Sequence, residues 1–341
     1  MKAPLTVAVV GLEDGPESCA GPGLLAALGR AGLRRLAVAC RAGESGAFRP
    51  GIAELFERAG DPLADEPGFV ARLAECCARH SVGTALAGTP LVAQVLARHA
   101  KTLAKHKLKL LLPASADLER LRERGLTEPC SAAQVAALPS SPVPEPAFAA
   151  SFLHSRAWPL VLLDEHGARR RALDALEALR LARALRERGA RQLRMASPAP
   201  RSLFEVCLVL ARSGALLGSC AVRVLEDDER LRPWLAVSVE DAELERAALA
   251  VATRAGLRGP LTATFSQSER SLALLDLQPC FPVWIEACLR EGPNLAALAV
   301  SAAVEARTRP AGRVPAGTLF SQTAQDIVID PRSPAACAVL P

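Results

Sequence analysis

Short apolar segments that alternate with helical segments are the feature of this sequence that most restricts its fold. Apolar runs rich in Val, Ala and Leu occupy residues 6–11, 35–40, 82–87 and 108–112. Strands separated by helices predict a parallel sheet covered by helices, because parallel neighbours need a long crossover connection. We therefore expect residues 1–113 to form an N-terminal α/β domain with a doubly wound parallel sheet.

The remaining two thirds of the chain predict a different arrangement. Residues 139–146 are rich in proline, which removes a backbone donor and disfavours helix in the preceding residue, so they indicate an extended connection. Pairs of strands at hairpin spacing beyond residue 198 indicate an antiparallel sheet with covering helices. The predicted helices after residue 113 are 116–124, 131–138, 170–188, 241–255, 283–290 and 294–306, and the predicted strands are 158–164, 203–211, 216–225, 234–239, 262–266 and 272–277. The fold class is therefore α/β, with α+β character in the C-terminal half.

Composition excludes several classes of protein. Of the 341 residues, 50% are apolar and 23% are charged, which is typical of a globular chain large enough for two or three packed units. The net charge of +5 is spread mostly as single arginines, aromatic residues make up only 4%, and tyrosine is absent. A nucleic-acid surface would need a denser basic stripe with aromatic residues. No apolar run reaches the roughly 18 residues of a membrane span, and the N-terminus lacks the pattern of a signal peptide. We expect a cytoplasmic protein with neither nucleic acid nor membrane as a partner.

Ten cysteines and five histidines form no familiar metal or catalytic motif. Most cysteines lie in apolar segments without Cys-x-x-Cys spacing, which indicates buried thiols in a reducing compartment. Gly21-Pro-Gly23 begins like a dinucleotide-binding loop. However, Ala26 stands where that loop needs its third glycine, and Pro22 removes a phosphate-binding donor. The sequence also contains neither a P-loop nor a Gly-x-Ser-x-Gly nucleophile elbow.

A series of segments in the C-terminal half resembles the ATP-grasp ligases. Residues 275–285, Leu-Asp-Leu-Gln-Pro-Cys-Phe-Pro-Val-Trp-Ile, are similar to that family's Glu-x-Asn-Pro-Arg-Phe-Pro segment, and residues 291–295 to its Gly-x-Asn-Leu. Residues 258–265 and 158–164 look like the family's metal-carboxylate strand and its Pro-x-Val-x-Lys-Pro strand. The tail, with residues 316–320 and 326–329, looks like the family's closing strands. The order and spacing of these segments carry the resemblance over about residues 5–330. It implies that the N-terminal parallel sheet is followed by an ATP-grasp-like two-part domain with an antiparallel sheet, divided into a small subdomain at 114–197 and a large one at 198–341.

The resemblance implies a cleft for ATP and magnesium and shows which of its charged residues are replaced. An ATP-grasp ligase phosphorylates a carboxylate and lets an amine attack the acyl phosphate, which needs cations near the phosphates and oxygen ligands for magnesium. Leu163 stands where the family has its strand lysine, and Met195 where an adenosine-binding glutamate is common. Thr264 replaces the first metal carboxylate, and Cys280 replaces the arginine that follows the proline. The resemblance therefore places Leu163 and Met195 in the cofactor cleft without the groups that would bind the cofactor.

Three further positions keep a trace of this chemistry. Asp276 and Gln278 stand for the family's Glu-x-Asn pair and are weak candidates for metal ligands. Each differs by one methylene from the family residue, which shifts the ligand atom although magnesium demands near-ideal octahedral geometry. Arg223 is the candidate for a catalytic or phosphate-facing cation, the alternative being an ordinary exposed strand arginine.

These replacements leave three hypotheses open. The first is a pseudoenzyme that acts as a binding or regulatory subunit, paired with a protein partner or an active paralogue, with ATP and magnesium only weakly indicated. The second is an active ATP-dependent carboxylate–amine ligase with a rearranged site. The third is a module that binds a peptide or a protein without nucleotide, because a fold alone does not define a function. As partners, we expect a protein or active paralogue, or a small-molecule or peptide ligand.

Overall fold

A computed structural model describes most of the chain. The described residues are 5–12, 19–138, 140–143, 158–164, 168–196, 202–228, 230–267, 272–290, 292–305, 308–322 and 332–339. The predicted closing strand at 326–329 lies outside the described residues. In the part of the chain that the structure describes, no helix combines the length and apolarity needed to cross a membrane.

The N-terminal sheet is parallel and has helices on both faces, as the alternating sequence pattern predicts. Its strands are β1 (Thr6–Val10), β2 (Arg34–Ala39), β3 (Leu55–Arg58) and β4 (Val82–Ala87), in the order β3-β2-β1-β4. The helices are α1 (Gly21–Arg30), α2 (Glu66–Arg79), α3 (Pro90–Arg98) and α4 (Ala100–Lys105). The sequence pattern does not predict β3, a short strand at the sheet edge. The predicted strand at 108–112 forms only one parallel bridge, between Lys109 and Thr84.

A buried glutamate fastens the carboxyl end of this sheet. Glu44 accepts hydrogen bonds from the backbone N–H groups of Leu12 (2.9 Å), Cys40 (3.0 Å) and Arg41 (3.0 Å). These donors follow β1 and β2, where successive backbone N–H groups can form an anion-binding concavity. The chain therefore supplies its own carboxylate to groups that would otherwise face a ligand or water.

A small antiparallel sheet packs beneath one helix. After α5 (Ser115–Arg124), α6 (Thr127–Ala132) and the two-residue strand β5 (Ala136–Ala137), the chain forms β6 (Ser140–Pro142), β7 (Leu160–Asp164), β8 (Arg169–Ala172), α7 (Ala175–Glu187) and β9 (Leu193–Ala196). The order of the small sheet is β6-β9-β7-β8. Two sequence predictions are wrong here. The predicted helix at 170–188 begins as β8, and the helix predicted at 131–138 is replaced by α6 and β5.

The large sheet is mostly antiparallel, as expected, but two very short strands make it mixed. Its antiparallel strands are β10 (Ser202–Leu210), β11 (Leu216–Asp227), β12 (Pro233–Val239), β13 (Gly259–Gln267), β14 (Leu272–Gln278) and β16 (Leu319–Ser321). The parallel additions are β5, which pairs with β14, and β15 (Gly312–Arg313), which pairs with β11. Helix α8 (Ala242–Arg254) packs on one face, and α9 (Leu295–Val304) packs between this sheet and the N-terminal domain. The helix predicted at 283–290 is a short 3₁₀ helix at Ile285–Leu289.

Every described cysteine is a free thiol, and all but Cys337 are buried. The prediction of buried thiols is therefore confirmed for the described cysteines other than Cys337. Burial raises the pKa of the Cys76 thiol to about 11 and that of Cys77 to about 12. Such thiols stay protonated near neutral pH and are poor nucleophiles.

The start of α7 gives a direct test of the corrected helix boundary. Asp174 caps the helix by accepting a hydrogen bond from the backbone N–H of Glu177 at 2.8 Å, and the Glu177 carboxylate accepts from the N–H of Leu173 at 2.7 Å. We expect Asp174→Ala to lower the free energy of unfolding by about 1 kcal/mol in urea titrations. Asp174→Asn should retain most of the stability. An unchanged stability in Asp174→Ala would contradict a cap at this residue.

Candidate functional site

The large sheet carries polar residues on the face that is turned towards the small sheet, which we call the cleft face. Glu205 on β10 pairs directly with Val222 on β11 and Thr264 on β13, and Thr264 pairs with Asp276 on β14. Directly paired residues in an antiparallel sheet point to the same side. Glu205, Thr264 and Asp276 therefore form one polar row across three strands of the sheet.

Asp276 and Gln278, the weak metal candidates, are close together and are engaged with each other. The Gln278 side-chain amide donates to Asp276 Oδ2 at 2.7 Å, and the backbone N–H of Leu277 donates to Asp276 Oδ1 at 2.8 Å. Cys280, which stands where the resemblance expects an arginine, is buried next to Gln278. The pair thus satisfies its own hydrogen bonds within the strand end.

The centre of the cleft face is occupied by an arginine that the sequence analysis did not single out. Arg169, the first residue of β8, reaches from the small sheet to the large one. Its Nη1 donates to Thr264 Oγ1 at 2.9 Å, and its Nη1 and Nη2 lie 3.4 and 3.3 Å from Glu205 Oε1. Only 3% of Arg169, 2% of Glu205 and 1% of Thr264 is exposed. A fully buried cation–carboxylate pair therefore joins the two sheets.

Two neighbouring side chains complete the hydrogen bonds of Glu205. Thr264 Oγ1 donates to Glu205 Oε1 at 3.2 Å, and the indole N–H of Trp284 donates to Glu205 Oε2 at 2.7 Å. Both carboxylate oxygens thus have donors, which is the condition under which a buried charge can be tolerated. We call Arg169, Glu205, Thr264 and Trp284 the buried polar cluster.

A second ion pair spans the sheets two residues further along β8. Arg171 donates to Asp227 Oδ2 on β11 at 2.5 Å. Residues i and i+2 of a strand share one face, so Arg169 and Arg171 both point to the large sheet. Arg170 between them is buried on the other side and donates to the Arg169 carbonyl oxygen. Consecutive arginines thus serve opposite faces of the same short strand.

An apolar cluster fills the rest of the space between the sheets. Its members come from both sheets and from the turn before β12; the buried ones are Val161, Ala196, Leu203, Leu231 and Leu275, and the partly buried ones are Leu138, Leu163 and Val224. We call this set the inter-sheet cluster. Its burial stabilises the contact of the two sheets at roughly 25 cal/mol per Å² of apolar surface removed from water. The sheets are thus held together by apolar packing as well as by two ion pairs.

Two of the residues that the resemblance assigns to the cleft lie on other surfaces. Met195 pairs with Leu162 on the side of the small sheet that faces α7 and is buried there. Arg223 follows Val222 on β11, so alternation turns it to the face opposite Glu205 and Thr264, where it is exposed. Leu163 does line the cleft. The structure thus brings Leu163, Thr264, Asp276 and Gln278 together and keeps Met195 and Arg223 apart from them.

A cavity of about 380 Å³ remains beside the inter-sheet cluster. Helices α3, α5 and α6 form one wall, and the ends of β7 and β14 form the other. Leu163, Asp276 and Gln278 line it, together with Arg194, which pairs with Leu163 across β7 and β9. The lining combines apolar side chains with arginines and carboxylates, which is typical of a site for a small molecule.

The residues at the centre of the cleft do not fit a magnesium ion. The oxygen of Thr264 that would face the metal already accepts a hydrogen bond from Arg169. The nearest carboxylate, Glu205, is neutralised by the same guanidinium. A divalent cation there would meet a fixed positive charge, whereas magnesium requires oxygen ligands in octahedral geometry. Leu163 and the inter-sheet cluster likewise offer a polyphosphate no compensating charge.

Comparison with known proteins supports the fold independently of sequence. Neither a protein-family model nor a curated protein sequence matches the chain. Solved structures of ATP-grasp enzymes do match it. Biotin carboxylase from Campylobacter jejuni in complex with β,γ-ATP aligns with a TM-score of 0.63 at 14% identity, over 89% of this chain and 72% of that one. The L-amino acid ligase from Bacillus licheniformis aligns with a TM-score of 0.63 at 12% identity, over 89% of this chain and 75% of the ligase. The N5-carboxyaminoimidazole ribonucleotide synthetase from Thermus thermophilus aligns with a TM-score of 0.61 at 19% identity, over 92% of this chain and 81% of the synthetase. The chain therefore has the ATP-grasp ligase-like fold, as the order of its segments predicts.

The turn that inserts Leu231 into the inter-sheet cluster is held by Asp228. Asp228 Oδ1 accepts from the backbone N–H groups of Arg230 (2.8 Å) and Arg232 (3.0 Å), and Oδ2 accepts from Arg232 Nε at 2.7 Å. Burial alone would raise the pKa of Asp228, but the hydrogen bonds and charge of Arg232 outweigh it and lower the pKa. The ionised form is therefore favoured in the folded protein.

This depressed pKa predicts a loss of stability in acid. The contribution of Asp228 is fully present above its unfolded pKa of about 3.9 and is lost as the pH falls through the lower folded value. We expect Asp228→Asn to be less stable than the parent at pH 6 and to differ from it less at pH 2.5, in urea titrations at both pH values. A difference that grows in acid would contradict the lowered pKa.

Proposed function

We propose that this chain is a catalytically inactive binding or regulatory protein on an ATP-grasp ligase-like fold. One observation carries the proposal: the Arg169 guanidinium is buried between Glu205 and Thr264 on the cleft face. Phosphoryl transfer depends on cations aimed at the phosphates and on metal ligands in place before reaction. In this cleft the central cation is already paired with a carboxylate, and leucines fill the space between the walls. The cleft therefore meets none of these requirements.

The cavity beside the cleft supports the binding part of the proposal. Arg122 and Arg194 line it, and neither guanidinium makes a hydrogen bond or ion pair with the described part of the chain. Together with the leucines of the lining, they suit a small molecule or peptide end with an anionic group. Binding there would couple three parts of the chain, because α5, β7 and β14 all contribute to the wall.

A nucleotide titration tests the inactive part of the proposal. We expect ATP or ADP with magnesium, up to millimolar concentrations, to leave the thermal unfolding temperature unchanged and to give no saturable heat in calorimetry. A ligand that binds the folded state with micromolar affinity would shift that temperature measurably, since stabilisation grows as RT ln(1 + [L]/Kd). Saturable micromolar binding together with ADP release in the presence of a carboxylate and an amine would overturn the proposal.

One variant distinguishes the proposed inactive protein from the remaining alternative, an active ligase with a rearranged site. In that alternative Asp276 would bind the metal, so Asp276→Ala would abolish any nucleotide-dependent signal. Arg223→Ala provides the matched control, because its side chain lies on the opposite face of the sheet. If Asp276→Ala removed such a signal and Arg223→Ala did not, the active alternative would gain support.

A further inference from the structure

A shallow depression lies at the carboxyl end of the N-terminal sheet, on the edge formed by β2 and β3. Residues 40–42 and Arg58, Gly60, Asp61 and Arg72 line it, around a volume of about 500 Å³. Ala39 and Arg58 are paired across β2 and β3, so the segments that follow both strands meet here. In open α/β sheets, ligands bind in crevices outside the carboxyl ends of the strands.

Three arginines surround the depression, and one of them is fixed in place. Arg72 Nε donates to the carbonyl oxygen of Ala59 at 2.6 Å. Its guanidinium then packs over Gly60, where an added Cβ would lie 2.6 Å from Nη2 and where φ is +94°. Glycine at this position therefore makes room for the guanidinium. The long side chain of Arg72 is ordered before any ligand arrives, which reduces the entropy lost on binding.

The other two guanidinium groups are free to receive a ligand. Arg41 and Arg58 are exposed, and their side chains make no hydrogen bond or ion pair with any residue that the structure describes. By contrast, Arg35, Arg79 and Arg98 of the same domain each pair with a glutamate. The two free groups are also neighbours, because Arg58 ends β3 beside the strand that leads to Arg41.

The acidic residues nearby offset this charge only in part, because three arginines and one carboxylate, that of Asp61, line the depression. The Asp61 carboxylate accepts from the backbone N–H of Leu63 at 2.9 Å, and Glu44 points inward to the backbone donors after β1 and β2. Asp65 Oδ2 lies 3.5 Å from the Arg72 guanidinium, and Asp65 Oδ1 accepts from the backbone N–H of Gly68 at 2.9 Å. The depression is therefore positively charged.

We propose that this depression binds a phosphate group, either free or as the monoester of a small phosphorylated molecule. Planar guanidinium groups make paired, charge-assisted hydrogen bonds to phosphate oxygens, which is why arginine is common in phosphate sites. One preordered arginine and two unpaired ones supply donors from three sides. The site lies on the N-terminal domain and does not depend on the proposed inactivity of the cleft.

Titration with inorganic phosphate tests the site. Potassium phosphate should raise the thermal unfolding temperature in a saturable way, relative to potassium chloride at the same ionic strength, and should give saturable heat in calorimetry. We expect Arg41→Gln and Arg58→Gln each to weaken that binding at least fivefold. Arg34→Gln is the matched control, because Arg34 begins β2 at the opposite end of the strand, and it should bind like the parent.

A second probe identifies the source of the phosphate. Tighter binding of ribose 5-phosphate than of inorganic phosphate would assign the site to a phosphorylated small molecule, and the reverse order would assign it to free phosphate. Both results support a phosphate site. Absence of saturable phosphate binding, or equal affinities in the parent and in the Arg41→Gln and Arg58→Gln variants, would overturn the proposal. Far-ultraviolet circular dichroism of each variant shows that a lost signal does not come from unfolding.

Discussion

Replacing Arg169 by methionine is expected to lower the free energy of unfolding by about 3–5 kcal/mol, because it leaves Glu205 as an uncompensated buried charge. Methionine fills much of the same volume, so little of the loss comes from a cavity. Urea or guanidinium titrations at neutral pH would measure it. Trp284 and Thr264 would still donate to the carboxylate, which keeps the loss near the lower end of the range.

Two further variants show whether burial is the cause. In Arg169→Met/Glu205→Gln the glutamine oxygen can still accept from the Trp284 indole, so at least half of the lost stability should return. Arg171→Met removes the neighbouring ion pair on the same strand and face. In the parent, the side chains of this pair are 26% (Arg171) and 17% (Asp227) exposed. That change should cost about 1 kcal/mol, as for pairs that water can reach. Equal losses in Arg169→Met and Arg171→Met would contradict this account.

Replacing Glu44 by alanine is expected to cost about 3 kcal/mol or more, because three backbone N–H groups lose their acceptor and each buried donor left without one costs about 1–3 kcal/mol. Glu44 is only 1% exposed, so water has limited access to these donors. Glu44→Gln keeps one oxygen acceptor and should lose less. Glu187→Ala serves as a control, since both side chains of its pair with Arg183 are exposed (63% and 82%) and its removal should have a small effect.

Glu44 also gives a pH signature of opposite sign to that of Asp228. Burial raises the pKa of Glu44 and outweighs its three backbone hydrogen bonds, which lower it. The stabilisation due to its raised pKa is fully present below the unfolded value of about 4.3 and is lost as the pH rises through the higher folded value. The stability advantage of the parent over Glu44→Gln should therefore shrink between pH 4 and pH 7. A growing advantage over this interval would contradict the raised pKa.

The sequence was sufficient for the fold because the fold depends on repeated patterns. Strands β1, β2 and β4 and their helices follow from apolar periodicity, and the order of the segments from 158–164 to 275–285 predicts the ATP-grasp ligase-like fold that the solved structures share. Such patterns tolerate errors of a residue or two at each boundary. The same error is decisive for a site, because a shift of one residue turns a strand side chain to the opposite face.

Errors of one residue explain why the sequence predictions for the candidate site were partly wrong. Met195 and Arg223 were predicted in the cleft, but each lies one position away from a residue that faces it, Arg194 or Val222. Residues 170–172 of β8, the strand that Arg169 begins, fall in the helix predicted at 170–188, because four residues are too few to show strand alternation and pairing with β7 decides their structure. A signal was present in Glu205, a single acidic residue in the apolar run 203–211, which needs a buried partner.

The buried polar cluster also bears on how the chain can change over generations. A mutation that introduced a carboxylate at position 264 would place it directly beside Glu205, with Arg169 between them. Two carboxylates in one dry site repel each other, and a single guanidinium does not neutralise both. A first step towards a metal site would therefore weaken the fold before it improved any chemistry. The buried polar cluster thus disfavours a second carboxylate at this point of the cleft, which agrees with the inactivity that we propose.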